Sequence, residues 1–374
     1  MSSSIVIGKI IALILKIFSS RGGTALPGLI ALKLNPSLIN QIIKKNQLFS
    51  IIITGTNGKT TTCRLLGNIL KTSGLNYIHN RSGSNLLRGI ASTLINQTNI
   101  QGKLKAKYAI WEVDEAAVKT AISQVQPKIV LFNNLSRDQL DRYGELDAVI
   151  HSWQSGINSL PSTSLVFINQ LDPRLKNLRA KNLKPFGQTL NSGQFFQANL
   201  QAATAIAQVL KINSNKISKA VKDFKPAFGR GEVFTFRKRQ IRLTLVKNPS
   251  GFNAVLDWLR NQNYLDQPLL LILNDCLADG TDVSWIWDVN LEILQNRSQP
   301  IIIAGLRSFD LALRLKYAGV NPNLLQVQPS ISHAWNDLIA LKGPVANILP
   351  TYTAMLELRH FLSRQKIIHP SWQD

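Results

Sequence analysis

The stretch "LFSIIITGTNGKTTTCRLLGNILKTSG" (Leu48–Gly74) decides how the rest of the sequence is interpreted. It opens with a short apolar, β-branched run that ends at a glycine, which is typical of a buried strand. It continues with a helical pattern that ends at Gly74. The turn within Ile53–Thr62 therefore joins a strand to a helix.

This turn is predicted to bind phosphate. Glycines let the backbone wrap around phosphate oxygens, and the N–H groups of the helix start supply positive potential. The pattern G-x-x-x-x-G-K-[ST] is not met, because Ile53 stands five residues before Gly58, but a shorter G-T-N-G-K-T form is present. Lys59 would reach the terminal phosphates. The expected ATP-binding residues are Gly55, Thr56, Asn57, Gly58, Lys59, Thr60 and Thr61.

A magnesium site is expected beside this turn. Mg²⁺ prefers hard oxygen ligands, so the Thr60 hydroxyl and a carboxylate would suit it. Glu112 is the first acidic residue of the chain, and it follows a predicted strand in "WEVDEAA". It should emerge at the carboxyl edge of the sheet, where ligands bind in open α/β folds. Glu112 is the first choice as ligand, whereas Asp114 and Glu115 also fit solvated acids at a helix start.

Strand-like runs alternate with helical patterns, which predicts an α/β fold with a mostly parallel sheet and helices on both faces. Three domains are expected: a helical lead over 1–49 packed on the central domain, a central ATP-binding domain over 50–228, and a smaller C-terminal α/β domain over 229–374. The lead includes a Gly/Pro-punctuated connector, "RGGTALPGLIALKLNP" (21–36). After the boundary, "EVFTFR" and "IRLTLVKN" alternate and predict a hairpin.

The composition excludes several classes of protein. The chain has 374 residues, 45% of them hydrophobic, and only two cysteines, Cys63 and Cys276. These cannot form a disulfide framework or a cysteine-only zinc site, and they suit a reducing cytoplasm. The most apolar segment, "SIVIGKIIALILKIF", is interrupted by Lys9 and Lys16 and predicts an amphipathic helix instead of a membrane span.

The net charge of +22 is compatible with nucleic acid, a membrane surface, a phosphorylated substrate, or simply a solvated basic surface. Basic and aromatic residues are not interleaved as in nucleic-acid-binding proteins, so no nucleic-acid partner is expected. A cytoplasmic location is expected, and peripheral contact of the basic N-terminal half with the anionic inner face of the membrane is a further hypothesis.

Three segments resemble the Mur ligase superfamily: "GTNGKTTT", the Glu112 segment and "NNLSRDQLDRYGE" (133–145), with Gln139 where many members carry a metal-binding histidine. Within that superfamily the chain is similar to the MurT family. The segments that carry this likeness are "RGGTALPG", "RDQLDRYGE", "VKNPSGFNAVL" and "LNDCLADGTDVSWIWDV".

The resemblance implies an ATP-dependent amidation in cell-wall synthesis. The α-carboxylate of D-glutamate in the lipid II stem peptide would become an acyl phosphate, and ammonia from a GatD-type glutaminase subunit, the partner in a heterodimer, would convert it to D-isoglutamine. Lys59 and Arg230 would contact phosphates and Asn199 the nucleotide, and Asp282 would complete the partner's catalytic triad. The alternative is an amino-acid-adding ligase of the Mur or folylpolyglutamate type.

The sequence departs from this family in one large respect. The usual four-cysteine zinc ribbon is missing from "INQLDPRLKNLRAKNLKPFGQTL", so no structural zinc is expected. The segment Leu273–Val289, which contains four aspartates, is called the acidic segment. Within it, Trp285 and Trp287 fit either interface anchors or core residues. Asp279 fits a turn-supporting role, and no specific task is assigned to Asp275 and Asp288.

Overall fold

The computed structural model describes residues 1–18, 25–80, 85–136, 146–187, 197–224 and 230–369. These form two compact units, one from the described residues up to Phe224 and one from those starting at Arg230. Each unit is built on its own six-stranded sheet.

The first sheet is parallel throughout, with strand order β2-β3-β1-β4-β5-β6. Its central strands are buried along nearly their whole length, as expected for strands covered on both faces. The predicted parallel sheet is therefore confirmed. The strands are β1 (Phe49–Thr54), β2 (Tyr77–His79), β3 (Tyr108–Glu112), β4 (Ile129–Phe132), β5 (Leu165–Asn169) and β6 (Leu183–Phe186).

Helices cover this sheet on both faces, as the alternating pattern predicts. One apolar core contains α1 to α3 and α5 to α7, and the other contains α4, α8 and α9. The helices are α1 (Ser2–Phe18), α2 (Leu26–Leu34), α3 (Leu38–Lys45), α4 (Lys59–Thr72), α5 (Leu87–Gln97), α6 (Val118–Val125), α7 (Leu146–Asn158), α8 (Gln197–Val209) and α9 (Ser214–Lys222).

The prediction of a connector over 21–36 is wrong for Leu26–Leu34, which form α2. Pro27 lies in the first turn of this helix, where its missing N–H leaves no intrahelical bond unmade. Gly28 explains the helix's position: its N–H donates to Ser92 Oγ at 2.8 Å. A Cβ at Gly28 would lie 2.0 Å from the carbonyl oxygen of Arg88. The backbones of α2 and α5 therefore meet at this glycine.

The second sheet is mixed, with order β11-β10-β9-β12-β8-β7, and only β7 and β8 pair antiparallel. These two strands form the predicted hairpin, whose turn residues Arg237 and Lys238 both have positive φ, as a tight hairpin turn requires. The strands are β7 (Arg230–Phe236), β8 (Arg239–Thr244), β9 (Leu269–Ile272), β10 (Ile301–Ala304), β11 (Leu325–Val327) and β12 (Val345–Pro350).

Among the described residues, four α-helices accompany the second sheet, and two apolar cores lie against its faces. The helices are α10 (Pro249–Asn261), α11 (Ser308–Tyr317), α12 (Ile331–Ala340) and α13 (Tyr352–Arg364). Among the residues that the structure describes, no helix is long and apolar enough to cross a bilayer.

Gly28→Ala is expected to destabilise the first unit. The added methyl group collides with backbone atoms, which cannot move aside as a side chain can, so a cost of about 1–3 kcal/mol is expected. Thermal unfolding should show a lower Tm than wild type, whereas Lys33→Ala, at an exposed position of the same helix, should leave Tm nearly unchanged. Equal melting of Gly28→Ala and wild type would contradict the close contact of α2 and α5.

Candidate functional site

The predicted phosphate loop lies between β1 and α4, and its tightest point is Gly58. Gly58 precedes α4 with φ of 83°, in the left-handed region that glycine tolerates best. A Cβ there would lie 2.0 Å from Asn199 Oδ1 and 2.4 Å from Asn133 Nδ2. The loop therefore needs glycine for both its conformation and its packing.

Two asparagines that follow β4 hold the loop in place. Asn134 makes a two-way contact with the backbone of Asn57: its Oδ1 accepts from the N–H at 2.7 Å, and its Nδ2 donates to the carbonyl at 2.9 Å. Asn133 Nδ2 donates to the same carbonyl at 2.8 Å. Thr56 is tied to Ser136, whose N–H donates to the Thr56 hydroxyl at 2.9 Å.

Asn199, which the resemblance assigns to the nucleotide, lies behind the loop. Its Oδ1 accepts hydrogen bonds from the Thr62 hydroxyl at 3.1 Å and from Asn133 Nδ2 at 3.0 Å. Asn199, Thr61 and Thr62 are all buried. The contacts of Asn199 thus support the shape of the loop, and its contact with a nucleotide stays a prediction.

Lys59 begins α4 and is buried together with an acidic partner. Its Nζ lies 3.1 Å from Glu115 Oε2 and also donates to the carbonyl of Gly55. Burial works to lower the pKa of Lys59, but the negative charges of Glu115, Glu112 and Asp114 outweigh it and raise the pKa above its ordinary value. The amine therefore stays positively charged, as a phosphate-binding group must.

Glu115 is not a solvated acid. It is buried, pairs with Lys59, and its carbonyl accepts a hydrogen bond from Trp153 Nε1 at 2.9 Å. The solvated interpretation is therefore wrong for Glu115. Asp114 alone is partly exposed and precedes the short helical turn Glu115–Ala117.

Glu112 ends β3 directly beside β1, in register with Ile53. Its Oε1 accepts from the Thr60 hydroxyl at 2.7 Å and from Asn85 Nδ2 at 2.9 Å. Asn80 fixes its backbone through two hydrogen bonds of 2.8 Å. A hydroxyl and a carboxylate thus converge at the carboxyl edge of the sheet, and these hard oxygen donors suit Mg²⁺.

A mixed group of metal-binding side chains lies next to this point. Ligand atoms of Cys63, His79 and Glu112 all lie within 4.8 Å of one another. Burial raises the pKa of the Cys63 thiol well above its usual value, which disfavours the thiolate that metals require. The absence of zinc stays a prediction.

Sequence reasoning missed several residues that shape this site, namely Asn80, Asn85, Asn133 and Asn134, and it left Glu115 undecided. A usable signal existed for two of them, because Asn133 and Asn134 directly follow the strand run "KIVLF". Polar residues at the carboxyl end of a parallel strand lie where ligands bind.

In the second unit, Asp282 is exposed and accepts a hydrogen bond from the Ser284 N–H at 2.8 Å. Hydrogen bonds from the Ser284 side chain and backbone lower the pKa of Asp282, so the carboxylate is ionised at neutral pH. Asp275 instead pairs with Arg307, Nε to Oδ2 at 2.7 Å. Asp279 is buried and accepts from the Thr353 N–H at 2.8 Å, at the start of α13. Its structural role thus reaches beyond the predicted turn.

The two tryptophans of this segment differ. Trp285 packs against Phe252 at the edge of a core, which confirms the core interpretation for this residue. Trp287 is half-exposed, and its ring lies 5.7 Å from that of Tyr317 on α11. Only Trp287 therefore has the exposure of an interface anchor.

Two further predictions fall partly or wholly outside the described residues. Residues 137–145, which include Gln139, are not described. Arg230 is the first residue of β7, where its backbone is in register with Thr244, but its side chain is not described. Its predicted phosphate contact stays a prediction.

The first sheet and its loop define a phosphate-loop protein with a Mur ligase fold. Residues 53–227 match the Mur ligase middle domain, and residues 245–355 match the MurT ligase C-terminal domain. Solved structures share the fold, among them MurF ligase from Thermotoga maritima in complex with ADP, with a TM-score of 0.70 and 13% identity over 90% of this chain and 85% of that one. E. coli FolC in complex with DHPP and ADP has a TM-score of 0.67 and 15% identity, over 88% and 92%.

Similarity in sequence extends over nearly the whole chain. The lipid II isoglutaminyl synthase (glutamine-hydrolyzing) subunit MurT of Staphylococcus aureus strain COL is 27% identical, covering 91% of this chain and 93% of that protein. The protein of the same description from Streptococcus pneumoniae is 26% identical, over 92% and 94%. The chain is thus similar to MurT ligase subunits over about nine tenths of its length, and Mur ligase family models match parts of both of its units.

Asn134→Ala is expected to weaken nucleotide binding. The change removes both side-chain hydrogen bonds to the Asn57 backbone, which together contribute about 1–3 kcal/mol to the loop's geometry. Titration calorimetry with Mg·ADP should show a Kd raised roughly 5- to 150-fold. Asn182→Ala removes an asparagine of the same unit whose Nδ2 donates to the Ser162 carbonyl, away from the loop, and should bind as wild type does. An unchanged Kd for Asn134→Ala would show that the loop does not depend on this contact.

Proposed function

We propose that the chain is the ligase subunit of a glutamine-dependent lipid II amidating enzyme. It would convert the α-carboxylate of D-glutamate in the stem peptide to D-isoglutamine, at the expense of ATP. The observation that carries this proposal is the coexistence of two features in one chain that is similar to MurT subunits. The first is a phosphate loop in which Lys59 pairs with Glu115 and Thr60 donates to Glu112, and the second is the exposed, ionised Asp282 in the other unit.

The proposed chemistry has two steps. A carboxylate oxygen attacks the γ-phosphorus of ATP, and the bond to the β-phosphate oxygen breaks, so an acyl phosphate and ADP form. The nitrogen of ammonia then attacks the acyl carbon, phosphate leaves, and the nitrogen loses a proton to give the amide. The first step is needed because a carboxylate is a poor electrophile, and phosphorylation gives it a leaving group.

The residues of the first unit supply position and charge for this chemistry. Backbone N–H groups of Asn57 to Thr60 and the N-terminus of α4 would bind phosphate oxygens. Lys59 stays protonated and would neutralise charge on the terminal phosphate. Thr60 and Glu112 would hold Mg²⁺, which neutralises charge on the phosphates when bound. The ion pair of Lys59 with Glu115 and the hydrogen bond from Thr60 to Glu112 keep these groups aligned.

A glutaminase of the GatD type is the proposed partner, and α11 offers a surface for it. An apolar stripe lies exposed on one side of this helix at a spacing of three to four residues. It consists of Phe309, Leu313 and Tyr317, and the exposed Leu306 lies two residues before the helix. Exposed apolar stripes with aromatic residues are typical of protein interfaces.

The acidic segment runs beside this stripe. Asp275 is fixed to Arg307 at the start of α11, and Trp287 contacts Tyr317 at its end. Asp282 lies between these two attachments in the chain. We propose that a partner seated on the stripe reaches its carboxylate, which could accept a hydrogen bond from a catalytic histidine and stabilise the imidazolium.

An amino-acid-adding ligase is the alternative. It would share the phosphate loop but has no use for an exposed carboxylate beside an apolar stripe. The match of residues 245–355 to the MurT ligase C-terminal domain favours the amidating enzyme. The proposal includes three domains, with the bounds 1–49, 50–228 and 229–374. It also includes lipid II as the substrate and the inner face of the membrane as the place where the enzyme acts.

Asp282→Asn is expected to abolish glutamine-dependent amidation while sparing the reaction with free ammonia. An asparagine cannot hold the partner's imidazolium, so glutamine hydrolysis should fall by at least roughly tenfold. The assay is mass spectrometry of lipid II, whose acid-to-amide change is followed with glutamine or with ammonium salt in the co-purified complex.

Asp288→Asn is the matched control, because it changes another exposed aspartate of the same segment. Full glutamine-dependent activity in Asp282→Asn would refute the triad. Absence of amidation in the wild-type complex with either nitrogen source would refute the reaction itself.

Leu313→Asp is expected to weaken association with the glutaminase subunit. The side chain is 49% exposed on the stripe, and a charge there would be desolvated on docking. Leu356→Asp, 40% exposed on α13, should leave association unchanged. Size-exclusion chromatography of the co-expressed pair measures this, and an intact Leu313→Asp complex would exclude the stripe as the interface.

A further inference from the structure

The exposed side of α1 is almost entirely apolar. Eight of its described side chains are exposed, and only Ser2 and Ser3 among them are polar. The other six are large and aliphatic: Val6, Ile7, Ile10, Leu13, Ile14 and Ile17. Helices on a protein surface normally turn charged and polar residues outward, so this side is not built to face water.

The opposite side of α1 is fixed to the first unit. Ile5 is fully buried in the same core as Ile90 and Ile95. Gly8 lies so close to α5 that a Cβ would meet Ile95 Cδ1 at 2.8 Å. The helix is therefore held in place by its own packing, and its apolar side points outward as a fixed surface.

The basic residues near this surface indicate an anionic binding partner. From Met1 to Trp111 the chain contains fourteen lysines and arginines and no acidic residue. Lys9 lies within α1 itself, and Lys33 lies in α2, which packs against α1. A surface that is both apolar and positively charged suits an anionic lipid bilayer, which offers acyl chains below phosphate headgroups.

The dimensions also suit a helix that lies in the plane of the bilayer. Val6 and Ile17 are eleven residues apart, or about 16 Å along the helix axis, and α1 is not long enough or apolar enough to span a membrane. The neighbouring helix α2 adds the exposed leucines Leu26, Leu29 and Leu34.

We propose that the outer side of α1 docks the protein on anionic membrane, with its aliphatic side chains inserted among the acyl chains and the lysines at the headgroups. This inference rests on the proposed function in one respect, because a lipid-anchored substrate gives the docking its purpose. The occupant is the bilayer surface itself, and a second copy of the chain or the glutaminase are the competing occupants.

The test uses the full-length chain in complex with its glutaminase partner. Flotation with vesicles of phosphatidylcholine containing 30% phosphatidylglycerol is compared with flotation on pure phosphatidylcholine. Wild type should bind the anionic vesicles. The variant Leu13→Gln/Ile17→Gln should bind them at least about tenfold more weakly, because two inserted aliphatic side chains are lost. The control Ile100→Gln/Leu171→Gln, which changes two exposed aliphatic residues outside α1, should bind as wild type does.

Activity readouts separate this inference from the proposed reaction. Amidation of lipid II in detergent micelles should be equal in wild type and the α1 variant, whereas amidation of lipid II in anionic vesicles should fall in the variant alone. No amidation in micelles by any form would refute the reaction and leave flotation as the test of docking.

Three results would overturn the docking surface. One is unchanged vesicle binding of the α1 variant, and another is wild-type binding that ignores the anionic lipid. The third is a change in assembly: if the variant loses its glutaminase partner or a dimer present in wild type dissociates, α1 is a protein interface instead.

Discussion

The bare α-carbon of Gly58 is the constraint on which the phosphate site depends. Because no Cβ is present, Asn199 from α8 and Asn133 from the end of β4 approach the loop directly and bond to each other at 3.0 Å. Three segments that are far apart in sequence thereby meet at one point. The left-handed backbone of Gly58 then starts α4 in the direction that points its N–H groups at an anion.

The site holds more charge than a folded core normally accepts. Lys59, Glu112 and Glu115 are all buried within one small region, and burial of unpaired charges is costly. The pairing of Lys59 with Glu115 and the hydrogen bonds of Glu112 from Thr60 and Asn85 offset that cost. A bound phosphate and its metal would enter a network whose charges are already aligned, so little reorganisation is needed at the moment of reaction.

Much of the fold could be predicted because most strands are continuous apolar runs bounded by turn residues. The strands that were missed lack this signal. β12 carries Asn347 in its middle and ends in Pro350, although all its positions are buried. β2 and β11 have only three residues each, and β6 contains Pro185 and two exposed positions. The error at α2 has a different cause: Pro27 and Gly28 are commonly signs of a loop, yet here one starts a helix and the other allows close packing.

The sequence predicted the position of a site residue where the strand and loop pattern determines it. It did not predict the burial of a side chain, which depends on the residues packed around it. The positions of Thr60 and Glu112 followed from strand, loop and sheet edge, since the carboxyl ends of adjacent parallel strands must meet. The state of Glu115 did not follow, because only the packing of Trp153 and Lys59 around it removes it from water. The spacing of residues in the sequence does not predict that burial.

The aspartates of the acidic segment in the second unit also have different roles, although they are the same type of residue. Asp275 is committed to Arg307, and Asp279 to the start of α13 through Thr353. Both carboxylates therefore hold the segment in place. Asp282 receives its hydrogen bond from Ser284, two residues away, and within the described part of the chain it holds no distant segment in place. An exposed carboxylate that stays ionised while its neighbours fix the backbone is suited to act on a group that another chain provides, since its position is set before that chain arrives.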